Sequence, residues 1–321
     1  MFQQYPSARA LEALPHLTYA GHATVLVEMD GVRLLADPIL RNRVGPLCRH
    51  QPASTPDWGR VDAVLISHFH YDHLDIPSLR MLAPNTLLIA PRGAAGPLNR
   101  RGFTNVMEVV PGEMVTVNGM SIEVTRANHS SSRIFFGRGL PCVGFVVQGS
   151  YRIYFAGDTD LFPEMESIGH DLDVALLPVW GWGPRLGPGH LNPLRAAESL
   201  ALLRPRVAIP IHWGSLRLFG TGWMKFVSCP PHVFARLAAS LAPEVRVCIL
   251  EPGQSFCPSL YFFHNEQVRE PTDAQWGAFE EIGCAAQYPP QERQACHDVV
   301  VAREDLRVVH QAYRKPIQHA A

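Results

Sequence analysis

Nowhere do the 321 residues contain an unbroken apolar run approaching the roughly 18 positions a membrane-spanning helix requires, so no transmembrane segment is expected. The opening residues, MFQQYPSARALEALPHL, lack a basic stretch followed by an apolar one and do not read as a secretion signal. An excess of either charge is missing too. With 28 basic against 29 acidic side chains, there is no electrostatic case for nucleic acid or an anionic membrane surface as partner. The seven cysteines are odd in number, include no C-x-x-C pair, and none is placed as an obvious metal ligand. Scattered in this way they read as reduced thiols of a cytoplasmic protein rather than as a disulfide framework. What the chain does have is 47% hydrophobic residues, ample for a large core. Its length allows two domains, though layered α/β folds of about 200–250 residues often form one.

The most informative stretch is Val61 to Asp75, VDAVLISHFHYDHLD. A short apolar run, Ala63 to Ile66, ends in four metal-competent side chains, His68, His70, Asp72 and His73, within six positions. Imidazole and carboxylate are usual ligands of zinc and related divalent ions. Continuing the run as a strand puts His68 and His70 on one face, able to grip one ion. Asp72 and His73 follow where the backbone must turn and can address a second. The spacing H-x-H-x-D-H is therefore a two-ion signature, and its bland alternative is a polar surface loop.

The rest of the chain alternates strands, turns and helices. Thr24 to Glu28 and Val32 to Ala36 flank the hairpin turn Asp30-Gly31. The second strand delivers Asp37-Pro38, where the carboxylate is placed to orient a ligand histidine from behind; the alternative is a turn-forming Asp before Pro. His22, in GHAT, reads as a structural histidine at a strand start. Arg41 to Arg60, with three prolines and two glycines, reads as a loop lining the mouth of a site. Pro77 opens a short helix over IPSLRML. Residues 87 to 125 are short strands ending in a hairpin around Asn118-Gly119, after which His129 is released.

Val143 to Val147 and Arg152 to Ala156 lead to Asp158, a carboxylate whose two oxygens can bridge two cations, as no histidine can. Val174 to Val179 precedes the aromatic, glycine-rich loop Trp180 to His190. Asn192 caps a helix with Pro193 first, its buried face marked by apolar residues at 194, 197, 200, 201 and 203. Val207 to Ile211 is a strand ending in His212, and a helix near His232 to Leu241 precedes a strand over Val245 to Leu250. The alternation implies a layered α/β fold. From about His264 the pattern turns helical, with a capping box at Thr272 to Gln275 and a helix after Pro289-Pro290. This appendage has three open uses: covering the site, contact between copies in a homo-oligomer, or packing on the sheet.

His68, His70, Asp72, His73, His129, Asp158 and His212 all emerge at or just after strand ends, spaced so that the chain can leave and return to one sheet edge. The segments GHATVLVEMDGVRLLADPI, HFHYDHLD, FAGDTD, GHLNPLRAAE and IPIHWGS resemble the metallo-β-lactamase superfamily, from Leu17 to about Phe256. Within it they are most similar to the branch of the N-acylphosphatidylethanolamine-hydrolysing phospholipase D and the ascorbate-phosphate lactonase.

That resemblance implies an αββα sandwich (the metallo-β-lactamase fold) of two similar halves, with metals at one edge between the sheets. The hydrolase domain is then expected over residues 1–262 and a helical extension packed on it over 263–321. It implies that His68, His70 and His129 hold one divalent ion, Asp72, His73 and His212 the other, and that Asp158 bridges them. Zinc suits this donor set best, and manganese and iron are compatible with it. Two close cations lower the pKa of a shared water from about 15.7 towards ~7, so hydrolysis is expected. Asp72 and His190 are the residues expected to act in catalysis, His190 by contacting substrate or leaving group. Trp180, Trp182 and Arg185 form a prospective lip that stacks on substrate and pairs with its anionic part, with core packing the alternative for either tryptophan.

A small anionic phosphodiester is the first substrate reading, and a lactone or amide the second. No membrane-binding amphipathic segment accompanies the motifs, which separates the diester chemistry from a phospholipid. Two other readings are an iron-dependent oxidoreductase and a non-catalytic metal-binding scaffold. Against the first, His70 stands where diiron flavoproteins of the superfamily tend to have glutamate. Against the second, all seven ligands are present.

Overall fold

The computed structural model describes residues 14–50, 58, 60–130, 140–183, 186–220 and 229–267. The first half begins with an antiparallel meander, β1 (His16–Gly21), β2 (Thr24–Met29) and β3 (Val32–Ala36). Its second turn is the expected two-residue hairpin: Asp30 and Gly31 both have positive φ, which matches the twist of the flanking strands. After the short strands β4 (Arg43–Val44) and β5 (Leu47–Arg49), the chain adds β6 (Ala63–Leu65), helix α1 (Ile76–Leu79), β7 (Leu87–Pro91), α2 (Ala95–Asn99) and β8 (Val106–Val109). β3, β6, β7 and β8 run parallel to one another, and with β1, β2 and the later strand β17 (Ser255–Phe256) they form one seven-stranded sheet.

The second half repeats the plan. β9 (Met114–Val117), β10 (Met120–Arg126), β11 (Val143–Gln148) and β12 (Arg152–Phe155) form an antiparallel meander. α3 (Met165–Ile168), β13 (Val174–Pro178), α4 (Pro193–Leu203) and β14 (Val207–Ile211) continue it in parallel. After β15 (Leu216–Leu218) and α5 (Pro230–Leu241), β16 (Arg246–Val247) closes this second seven-stranded sheet. β17 (Ser255–Phe256) crosses back to pair with β1, and α6 (Pro258–Gln267) follows.

Strand periodicity explains why the two sheets face each other. Val32, Leu34 and Ala36 of β3, with Ala63 and Leu65 of β6, join one core with Val124, Phe145 and Phe155 of the other sheet. The residues between them, Leu35 and Val64, point outward into a separate core with Leu79 and Leu98 beneath the first two helices. Both faces of these strands are covered, so they read as continuous apolar runs, as parallel strands do. On the second sheet the covering layer is α4 and α5, through Ala197, Leu200 and Phe234. This is the expected αββα sandwich.

Several expectations need correction. The segment 41–60 is not simply a loop: β4 pairs with β5, and β5 with β15, in a third, three-stranded sheet. Strands of two or three residues carry too little periodicity to be read in advance, and the partner lies far along the chain. The strand carrying the histidine motif ends at Leu65, so His68 and His70 sit on the loop after it rather than on its face. The buried face of α4 is Ala196, Ala197, Ser199, Leu200 and Leu203, rotated from the expected stripe: the small Ala196 and Ser199 are buried while Leu194 is only partly covered and Ala201 is exposed. The strand expected over 245–250 is the two residues of β16.

Among the described residues Cys48, Cys142, Cys248 and Cys257 are free thiols. Among the described residues no helix is long and apolar enough to cross a membrane. The boundary expected at 262–263 falls inside α6, and the helices expected around 272–313 lie outside the described residues.

Candidate metal centre

The potential ligands collect where strands end. β6 ends before Ser67 and His68, β12 before Gly157 and Asp158, and β14 before His212, while β10 leads to His129. In open α/β sheets this carboxyl edge of the parallel strands is where ligands bind, because strand ends release loops there side by side. After His70 the backbone turns tightly: its carbonyl accepts from His73 N and Leu74 N, which swings Asp72 and His73 back towards the strand end. Gly157 lets the second sheet come close, since a Cβ there would lie 2.6 Å from that of Ser67.

Two nitrogen-rich sets result. In the first, His70 Nδ1 lies 2.9 Å from His68 Nε2 and 3.3 Å from His129 Nε2. In the second, His73 Nε2 and His212 Nε2 are 2.9 Å apart, with Asp72 Oδ2 3.6 Å from His212 Nε2. Asp158 belongs to both. Its Oδ2 is 3.2 Å from His73 Nε2 and 3.7 Å from His68 Nε2, and its Oδ1 is 3.2 Å from His212 Nε2. Asp158 and the His68, His73 and His212 rings are buried.

The outer nitrogens show that these are inward-facing lone pairs. His129 Nδ1 donates to Gly189 O (2.6 Å), His212 Nδ1 to Trp180 O (2.7 Å) and His73 Nδ1 to Asp37 Oδ2 (2.7 Å). His68 Nδ1 is 2.9 Å from Ser67 Oγ, whose hydroxyl donates to Asp37. With the proton held on each Nδ1, the Nε2 atoms converge as acceptors. Buried acceptors facing one another have nothing to accept from, and Asp158 Oδ1 makes no hydrogen bond at all. Divalent cations satisfy such a set: four-atom groups His68/His70/His129/Asp158 and His22/Asp72/His73/His212 each lie within 4.8 Å.

The electrostatics agree. Burial, reinforced by neighbouring imidazoles, holds His68 well below the usual histidine range, lowers His129, and pushes His70 down to about 4, so these rings are neutral. Burial works against ionisation of Asp72 and Asp158, but the surrounding histidines outweigh it and both stay well below the usual carboxylate range. Burial would also lower His73, yet the Asp158 and Asp37 carboxylates raise it, so a proton competes with a cation for its Nε2.

Asp37 accepts hydrogen bonds from Ser67 N, Ser67 Oγ and His73 Nδ1. His190 reaches the centre, its Nε2 3.3 Å from Asp158 Oδ2 and its Nδ1 donating to Gly187 O. Trp182 lines the adjoining cleft with Tyr71 and donates from Nε1 to Asp72 Oδ2 (3.1 Å). Trp180 instead packs on the core and donates from Nε1 to Gly183 O, so it supports the loop. Arg185 lies outside the described residues. His22 was expected to be structural, but its Nε2 stands 3.0 Å from Asp72 Oδ2. Ser67 was also missed; its position between Asp37 and the H-x-H-x-D-H run was the only available signal.

Comparison with known proteins follows the same line. Residues 32–213 match the beta-lactamase superfamily domain. A UPF0173 metal-dependent hydrolase of Methanopyrus kandleri is 35% identical over 247 residues, covering 75% of this chain and 98% of the relative. One of Opitutus terrae is 36% identical over 246 residues, covering 74% and 98%. The solved structure of Igni18, a metallo hydrolase from Ignicoccus hospitalis, has 28% identity and a TM-score of 0.58, covering 75% of this chain and 97% of that one. A histidine and aspartate cluster built on an αββα sandwich thus joins a match over more than half of the sequence: the chain belongs to the metallo-β-lactamase superfamily, among the UPF0173 metal-dependent hydrolases, and is a metal-dependent hydrolase.

Proposed function

We propose that the chain is a dinuclear hydrolase of a small anionic phosphodiester. The observation that carries the two-ion reading is Asp158, one carboxylate within 3.7 Å of imidazoles from both nitrogen sets. His68, His70 and His129 would hold one divalent ion, Asp72, His73 and His212 the other, and Asp158 both. The donor set suits zinc and is compatible with manganese or iron. Such a pair of ions supplies a water of pKa lowered towards ~7 and neutralises charge on the reacting oxygens.

The chain's own groups do the rest. Burial lowers the pKa of His190 but its hydrogen bond to Asp158 outweighs that and raises it, and its Nε2 stands 3.3 Å from Asp158 Oδ2 beside the cleft. A proton on that nitrogen would be placed for a departing alkoxide, the general-acid role the reaction needs. The cleft is walled by Tyr71, Trp182 and Leu186, which contact the organic part of a substrate. Gly181, Gly183 and Gly187 on the same wall let it approach the backbone closely. The choice of phosphodiester over lactone or amide is supported by the likeness of the motif segments to the phospholipase D type.

The test is a panel of bis(p-nitrophenyl) phosphate, an acyl-homoserine lactone and nitrocefin, offered to chelated enzyme reloaded with zinc or manganese. Turnover of the phosphodiester ahead of the others is the expected result. Turnover confined to the lactone or nitrocefin would replace the substrate class, and wild-type protein saturating at one ion per chain would remove the dinuclear reading.

A further inference from the structure

We infer that His22 is a positioning residue for the ion site of Asp72, His73 and His212, holding Asp72 by a hydrogen bond and His212 by ring contact. The inference rests on the two-ion reading above. His22 is fully buried in the turn between β1 and β2 and has φ +58°, a left-handed conformation uncommon for a residue with a side chain. Such conformations persist only where the surroundings over-determine them.

Here they do. His22 N–H donates to Ser215 Oγ (2.7 Å), and His22 O accepts from His212 N–H (2.6 Å). His212 is itself left-handed, with φ +64°. The preceding Gly21 leaves no room for slippage, since a Cβ there would lie 2.7 Å from Arg49 Nη1. Arg49 in turn donates to the carbonyls of Ala20, Ile39 and Arg41. Two strained histidines on different sheets are therefore clasped backbone to backbone. This arrangement fixes where the ring points.

The ring points at Asp72. His22 Nε2 is 3.0 Å from Asp72 Oδ2, while His22 Nδ1 is buried and makes no hydrogen bond. A bare nitrogen lone pair against a carboxylate oxygen would be repulsive, so Nε2 carries the hydrogen and donates it. Trp182 Nε1 donates to the same oxygen, and the two donors together fix the carboxylate. The His22 and His212 rings lie 3.9 Å apart between centroids at 38°, which limits rotation of the His212 ring. Among the described residues the other site histidine in ring contact with His22 is His73, at 5.6 Å. The effect should therefore fall on one ion site and spare that of His68, His70 and His129.

The experiment titrates zinc into chelated protein by calorimetry, with metal content read after gel filtration. Wild type is expected to bind two ions. H22F keeps a ring without a donor and should retain the first ion, with the second bound about 10- to 100-fold more weakly, as when a group supporting a ligand is lost. H22N supplies an amide donor and tolerates the left-handed backbone, and should recover part of that loss. Cobalt(II)-loaded H22N should keep the wild-type d–d spectrum, because the ligands are unchanged. Unaltered affinity for both ions in H22F, or equal weakening of both in a variant whose circular dichroism is native, overturns the inference. So does a shifted cobalt spectrum in H22N, which would make His22 a direct ligand. If H22F does not fold, the H22N titration and spectrum decide. Wild type binding a single ion is a separate failure, that of the two-ion reading.

Discussion

Asp37 shows how much of the cluster depends on a side chain behind its imidazoles. Its carboxylate accepts from Ser67 N (2.8 Å), Ser67 Oγ and His73 Nδ1 (2.7 Å), and through Ser67 it also orients His68. Asp37→Asn places an NH₂ where one of these donors must be received, leaving a buried pair of donors face to face. Metal affinity is expected to fall about 10- to 100-fold, measured by competition with a chromophoric chelator, with the fold intact. Affinity within twofold of wild type would show that His73 needs no such support. Asp37 was legible in the sequence because it lies at a strand end before Pro38. His22 was not, because its role depends on a left-handed turn and on Asp72, separated from it by 50 positions.

At the level of elements, α1 is held to the site by its cap. Asp75 Oδ2 accepts from Ser78 N (3.0 Å) and Ser78 Oγ (2.6 Å), and both carboxylate oxygens receive Arg41. Asp75→Ala should cost about 1–2 kcal/mol in urea unfolding, since the cap is lost and Ser78 is buried. Arg41→Ala should cost less, because the Arg41 side chain is 39% exposed and surface pairs are worth about 0–1 kcal/mol. Equal losses would mean that the ion pair, not the cap, holds the helix. Hairpins with Asp-Gly and Asn-Gly turns and the helix behind Asn192-Pro193 were readable, because local backbone preference decides them. The β4–β5–β15 sheet was not, because its pairing is made across the fold, Cys48 opposite Arg217.

For the molecule as a whole, the crowded imidazoles tie stability to pH and to metal. Burial lowers His22 to about 3 and His70 to about 4, and lowers His68 and His129 as well. Between those values and about 6.5 the unfolded chain binds more protons than the folded one, so stability falls as pH falls through that window. His73 and His190 are raised and act in the opposite sense, their contribution fading as pH rises through their folded values. With four rings lowered and two raised, the melting temperature of chelated protein should drop from pH 7 to pH 5 by calorimetry. Added zinc should raise it at pH 7 by mass action, and by less at pH 5, where protons compete for the same nitrogens. A melting temperature indifferent to both variables would contradict a centre built of buried neutral histidines.

The sequence by itself determined the alternation of strands and helices, the H-x-H-x-D-H run and the release of His129, Asp158 and His212 at strand ends. Those depend on periodicity and turn chemistry, which act over a few residues. Only the tertiary structure decided that Asp158 stands between two nitrogen sets and that Trp182 and His22 converge on Asp72. It also showed that Trp180 supports a loop instead of facing the cleft. Those outcomes follow from two sheets packing face to face, and the distances across that contact are fixed by the shape of the whole core, which no local pattern encodes.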